Sequence, residues 1–227
     1  MPLNLRAIVD ALTAVTPGPE TGPITDPLEL ILWENVGYLI EDERRAELFS
    51  ELKARVGIEA HAIAAADDRV LYGVAERGGM RPADRVERWR EIARIVLAEA
   101  GGDLSGRLRD LPVAKARSLL KRFPSIGDPG ADRILLFSGL DVRPSVESNG
   151  LRVLVRLGFV EERDNYGAMY REAVAALADA GAGERAWLMD AWRVLREHGK
   201  RLCRRSAPDC LACAVDDVCG HVVMRKP

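Results

Sequence analysis

The chain has 227 residues, 48% of them hydrophobic and 30% charged. That balance fits a globular protein with one good core or two small lobes, and it excludes a disordered chain. The formal charge of −2 excludes a uniformly basic coat but leaves room for a local basic face. No apolar run approaches the ~18 residues of a membrane span, so no membrane association is expected. The segment from Met1 to Val15 carries Asp10 inside its apolar stretch and has no small-residue cleavage pattern, so no secretory signal is read there. A cytoplasmic location follows as the expectation.

In chain order the sequence predicts helices separated by Gly and Pro. The first is a short amphipathic helix over 4–15, followed by a Pro/Gly loop through Pro23. Asp26-Pro27 reads as an N-cap followed by proline at the first helical position, opening a helix over 27–40. Further helices are predicted over 42–56, 59–66, 68–77 and 82–100, with Gly57, Gly78 and Gly101 as stops. Others follow over 112–122, 128–138, 146–157, 166–180 and 184–198. The threonines are confined to Thr13, Thr16, Thr21 and Thr25, and little after them favours strands. Short connections and helix formers throughout predict an all-α fold.

The four cysteines all lie in the last 25 residues, at Cys203, Cys210, Cys213 and Cys219. Disulfide frameworks scatter cysteines to staple distant segments, whereas a tight C-x6-C-x2-C-x5-C cluster gathers thiolates around one centre. Four thiolates suit either zinc or a [4Fe–4S] cluster. A second signal lies in Leu119 to Asp132, where a tight turn joins two helices and Asp128-Pro129 starts the second. Backbone N–H groups left free at such a helix start can donate to phosphate oxygens. The approach is basic: residues 107–122 hold Arg107, Arg109, Lys115, Arg117, Lys121 and Arg122 against one acid, Asp110. An ordinary helix–turn–helix corner with a solvated charged face is the plainer reading of that stretch.

Together these residues resemble the helix-hairpin-helix DNA glycosylases of the endonuclease III type. The cysteine spacing equals that family's iron–sulfur loop, and His198-Gly199 before Cys203 is similar to its lead-in. Phe123-Pro124-Ser125-Ile126-Gly127 is similar to its Leu-Pro-Gly-Val-Gly hairpin. Val146-Glu147-Ser148-Asn149, with Arg152-Val153 after it, stands where the family has Val-Asp-x-His/Asn and a later Arg-Val. The resemblance spans roughly residues 27–221. It implies a two-lobed all-α fold with double-stranded DNA bound between the lobes. One lobe is a six-helix barrel with the hairpin, over 27–140; the other is discontinuous, 1–26 plus 141–227, and carries a [4Fe–4S] cluster on Cys203, Cys210, Cys213 and Cys219. The chain is expected to act as a monomer, nucleoid-associated in a bacterial host.

The same resemblance implies base-excision repair by hydrolysis of the N-glycosidic bond of a damaged or mismatched base. Such cleavage needs a group to stabilise the developing oxocarbenium ion and one to activate water or protonate the base. Glu147 aligns with the family's catalytic aspartate, one methylene longer. Its plainer reading is an acid favourable to a helix N-terminus. Glu34, with Leu30, Ile31, Gly37 and Tyr38 as predicted helical neighbours, looks like the catalytic glutamate of mismatch-adenine glycosylases, and an apolar setting favours the acid form of a carboxyl. Its plainer reading is a core-edge glutamate bonded to Tyr or Arg. The lyase lysine of the hairpin is replaced by Pro129, so a monofunctional enzyme is expected; an abasic-site lyase would need Lys115 or Lys121 as a substitute. DNA phosphates are expected at Ser125, Gly127, Gly130, Lys121 and Arg122 of the hairpin and at Arg204 and Arg205 of the cysteine loop. The competing reading is a damage-recognition protein that keeps the fold and has lost efficient chemistry.

Overall fold

The capping residues set the helix starts. In this computed structural model, which describes residues 4–17 and 23–223 except the side chain of Val223, Asn4, Asp26, Asp67, Asp103, Glu147 and Asn165 each accept a backbone N–H of the helix they precede. Helices account for all the regular structure among the described residues, apart from a one-residue parallel bridge between Tyr38 and Gly79.

The chain divides into two units, Ile24–Leu140 and Met1–Pro23 together with Asp141–Pro227. The first carries α2 (Pro27–Asn35), α3 (Asp42–Arg55), α4 (Ala60–Ala65), α5 (Asp68–Ala75), α6 (Pro82–Ala100), α7 (Leu104–Asp110), α8 (Val113–Leu120) and α9 (Asp128–Ser138). Long α6 is its spine and touches α2, α4, α5 and α7. Trp89 on α6 is fully buried, and its indole N–H donates to the Asn35 carbonyl at 3.2 Å, which satisfies the last turn of α2.

The second unit packs α1 (Leu5–Val15), α10 (Ser148–Leu157), α11 (Tyr166–Gly181), α12 (Arg185–Arg201) and the single turn α13 (Gly220–Val223). Its core runs from Leu5, Ile8, Val9 and Leu12 through Leu151, Leu154, Leu177 and Leu195 to Val215. The first helix is fastened to α12 by Arg6, which bonds both Glu184 oxygens, and by the Trp187 indole donating to Asp10 at 2.7 Å. Helices α10 and α12 share the most extensive contact of any helix pair, and glycines permit it. A Cβ on Gly199 would lie 2.5 Å from the Asn149 carbonyl oxygen, and one on Gly150 would lie 3.2 Å from Leu195 Cβ on α12.

Three differences from the sequence expectation have local causes. α2 stops at Asn35 rather than running to 40, because the Tyr38 N–H leaves the helix to bond Gly78 O at 3.1 Å. α7, unforeseen because Gly106 and Asp110 weaken its helical pattern, is capped by Asp103. α12 runs on to Arg201, since His198 and Gly199 are buried and Lys200 and Arg201 suit a helix C-terminus. A methyl group at 199 meets backbone and cannot be evaded by a rotamer change. Gly199→Ala is therefore expected to destabilise by roughly 2 kcal/mol, measured as a lower thermal midpoint.

Candidate functional site

Glu147 heads α10, and three residues of one helix turn hold its carboxylate. Oε1 accepts the Gly150 N–H at 2.8 Å, and Oε2 accepts the Asn149 amide at 2.9 Å. The Ser148 hydroxyl reaches Oε2 at 3.5 Å. A carboxylate offers about four lone-pair sites, so acceptor capacity remains for a water or a developing cation. Asn149 in turn accepts from Arg152 Nη2 at 2.9 Å, and the same nitrogen reaches Gly199 O at 2.8 Å while Nε reaches Cys203 O at 3.0 Å. Burial pulls the Arg152 guanidinium below its usual range, partly offset by Cys203 and Glu147. The carboxylate and the start of the cysteine loop are thus joined through two side chains of α10. Tyr166, at the start of α11, is pushed up by burial and by the Glu147 charge. Nothing in the sequence pointed to Tyr166 as responding to that charge.

One turn further along α10, Arg156 holds the cysteine loop itself. Its Nη1 donates to Arg204 O at 2.8 Å and lies 3.2 Å from both the carbonyl and the Sγ of Cys203; Nη2 reaches Arg205 O at 3.1 Å. With both carbonyls turned inward to this guanidinium, the Arg204 and Arg205 residues stay exposed. Cys203, Cys210, Cys213 and Cys219 border one hollow, together with His198, Leu157, Val215 and Arg156. His198 is buried, its imidazole Nε2 lies 3.6 Å from Cys213 Sγ, and burial lowers its basicity. Burial also pushes the Cys213 thiol up, and the other cysteines add to that. Among the described residues no three His, Cys, Asp or Glu side chains converge on one point where a single ion could sit. The donor set, four cysteine sulfurs bordering one hollow, has the chemistry of a tetrathiolate site and suits either a zinc ion or an iron–sulfur cluster.

The hairpin joins α8 to α9 through 121–127. Phe123 and Ile126 point inward while Ser125 and Gly127 are exposed, so the turn is anchored at two points and presents its backbone between them. Asn35 holds the turn by donating to Pro124 O at 2.9 Å. Arg117 on α8 clamps fully buried Asp132 on α9 with bonds of 2.5 and 3.1 Å. Ser125 adopts a left-handed conformation, φ 63, which accounts for the glycine found there in the related hairpin motif. Gly127 is the N-cap of α9, and no side chain caps that start. Lys121 and Arg122 are exposed but already paired, with Asp128 at 2.6 Å and Glu99 at 2.8 Å. The Lys121 bond, with Arg117, holds the Asp128 carboxyl below the usual range.

Glu34 takes the plainer of its two readings, a glutamate bonded to an arginine. It sits in the last turn of α2, its side chain is 36% exposed, and it is ion-paired with Arg133 of α9. Gly37 and Tyr38, expected as its helical neighbours, lie beyond the helix end. The carboxyl is thus half-exposed and arginine-bound rather than sheltered among apolar neighbours. Trp33 packs edge-on against Phe49 at 5.5 Å. The loop after α2 meets the turn 76–81 side by side, and Tyr38, Leu39 and Met80 are exposed there, with Leu39 and Arg81 both left-handed. Gly79 is required at that contact, since a Cβ would lie 2.6 Å from Tyr38 O.

Compared with solved structures, the chain superposes on a trapped endonuclease III–DNA covalent intermediate, an estranged-adenine complex, with TM-score 0.75 and 16% identity, over 97% of this chain and 96% of that one. A non-covalent endonuclease III–DNA complex gives TM-score 0.75 and 17% identity, over 98% and 97%. A thermostable thymine-DNA glycosylase gives 0.76 and 15%, over 96% and 95%. The chain has the helix-hairpin-helix DNA glycosylase fold. No family model and no curated protein matches the sequence itself. In that fold the left-handed serine of the hairpin yields a direct expectation. Ser125→Gly relieves roughly 1–2 kcal/mol of strain against roughly 0.5–1 kcal/mol of added chain entropy. Denaturant unfolding should show a gain of about 0.5 kcal/mol.

Proposed function

We propose that the chain is a monofunctional DNA glycosylase that hydrolyses the N-glycosidic bond of a damaged or mismatched base in double-stranded DNA. The observation that carries this reading is Glu147, held by two N–H donors at the head of α10, in a chain whose fold matches glycosylases along nearly its whole length. Such a carboxylate accepts hydrogen bonds and carries charge, which suits stabilising the sugar cation or orienting the attacking water. Glu34, already held by Arg133, is assigned to positioning that arginine rather than to proton donation. Pro129 offers no amine, so strand cleavage through a Schiff base is not part of the reading.

Phosphates are assigned to the N–H groups of the turn at Ser125, Gly127 and Gly130, with Lys121 and Arg122 exchanging their carboxylate partners for DNA, and to Arg204 and Arg205. Cys203, Cys210, Cys213 and Cys219 are assigned as ligands of a [4Fe–4S] cluster that, when bound, fixes the loop bearing those two arginines. A base taken out of the stack leaves a gap, and the exposed apolar tip of Tyr38, Leu39 and Met80 is the surface suited to fill it. The two lobes, 27–140 and 1–26 plus 141–227, acting as a monomer in the cytoplasm near the nucleoid, complete the reading. One observation favours a DNA-binding protein without chemistry: Glu147 already serves as a helix cap.

The deciding experiment incubates the protein with duplexes carrying uracil, thymine glycol, alkylated adenine or adenine opposite 8-oxoguanine. Strand breaks that require alkali are expected on at least one. On that duplex Glu147→Gln should lower single-turnover excision at least ~100-fold with DNA affinity retained, and Leu39→Ser should weaken excision while leaving the fold intact. Tight binding with no breaks on any duplex would establish the binding protein instead. Breaks without alkali, trapped by borohydride, would establish a lyase.

A further inference from the structure

We propose that Arg156 and His198 raise the reduction potential of the cysteine centre by donating N–H groups to two of its four sulfurs. The inference rests on reading the cysteines as ligands of an iron–sulfur cluster. Arg156 Nη1 lies 3.2 Å from Cys203 Sγ, and His198 Nε2 lies 3.6 Å from Cys213 Sγ. Arg156 does not depend on the sulfur for its placement, and His198, which donates to Cys213 Sγ as the Nε2–H tautomer, is held by burial. The Arg156 guanidinium is fixed by the carbonyls of Cys203, Arg204 and Arg205, and the His198 imidazole is 6% exposed within the contact of α12 with α10. Arg156 also faces a third ligand, since its own carbonyl lies 3.6 Å from Cys219 Sγ.

Hydrogen bonds to the sulfurs, net charge and burial are the levers a protein has over such a potential. In any one-electron couple the reduced centre carries one more negative charge than the oxidised one, and part of that charge resides on the thiolates. An N–H dipole or guanidinium charge aimed at a thiolate therefore stabilises the reduced state more, and the potential rises. The effect is strengthened where Val153, Leu157, Val215 and Val222 line the hollow, which Asp209 and His221 also border. The arrangement is unequal among the ligands: Cys203 and Cys213 receive donors, while Cys219 meets an acceptor.

The test begins with iron and acid-labile sulfide in the purified full chain; their absence overturns the cluster reading, and the inference with it. With the cluster present, voltammetry compares the wild type with Arg156→Met, His198→Phe and the double variant. Arg163→Met controls for a lost charge, since Arg163 pairs with Glu161 and Glu172 in the same unit. Each single variant should move the midpoint downward by a shift equal to about a tenfold change in the redox equilibrium, about 59 mV for one electron, and the double variant further. Should Arg156→Met shed its iron, Arg156→Lys, which keeps the charge and one donor, is read beside His198→Phe. Midpoints equal to wild type in the iron-loaded variants would overturn the assignment while leaving the cluster in place.

Discussion

The contact of α10 with α12 is the constraint on which the candidate site depends. Gly150 and Gly199 let the two backbones approach until side chains of α10 reach carbonyls beyond the end of α12. At that separation Arg152 spans Asn149, Gly199 and Cys203, and Arg156 spans Cys203, Arg204 and Arg205. Hydrogen bonds to a charged group contribute about 1.5–3 kcal/mol each, so three of them offset the partial burial that lowers the Arg152 guanidinium. One helix consequently carries the carboxylate at its head and the cysteine loop along its flank.

The hairpin in the other unit solves a different problem, keeping a backbone turn exposed without collapsing. Phe123 and Ile126 pin the turn from inside, Asn35 holds Pro124, and Arg117 with Asp132 locks the two helices together. The basic stretch leading into it is less available than its composition implies, because Lys121, Arg122 and Arg117 already face Asp128, Glu99 and Asp132. Exposed Arg107, Arg109 and Lys115 extend the positive face.

Much of this was legible because the signals are local. The cysteine spacing, the Asp26-Pro27 cap and the Gly stops are written in consecutive residues, and the all-α fold follows from them. Glu147 was legible as a helix-start acid and as a match to a catalytic position, and the structure places it at the head of α10. For Glu34 a bond to some arginine was legible, but not which one, because Arg133 lies 99 positions away and α2 ends sooner than its apolar pattern suggests. Equally hidden were Arg156, an unremarkable cation until α10 meets the loop, and the tip of Tyr38, Leu39 and Met80, which exists only where two loops pair. Tertiary contact, rather than propensity, decides such positions.

The central claim is that Arg152 makes the carboxylate and the cysteine loop one mechanical unit. Single-turnover excision by Arg152→Met, on whichever duplex the wild type cleaves, tests this most directly when iron content and DNA affinity are measured on the same preparation. The account predicts excision slowed at least ~10-fold with the helical fold retained, because Asn149 loses the partner that fixes it beneath Glu147. Excision, iron content and affinity all equal to wild type would contradict it.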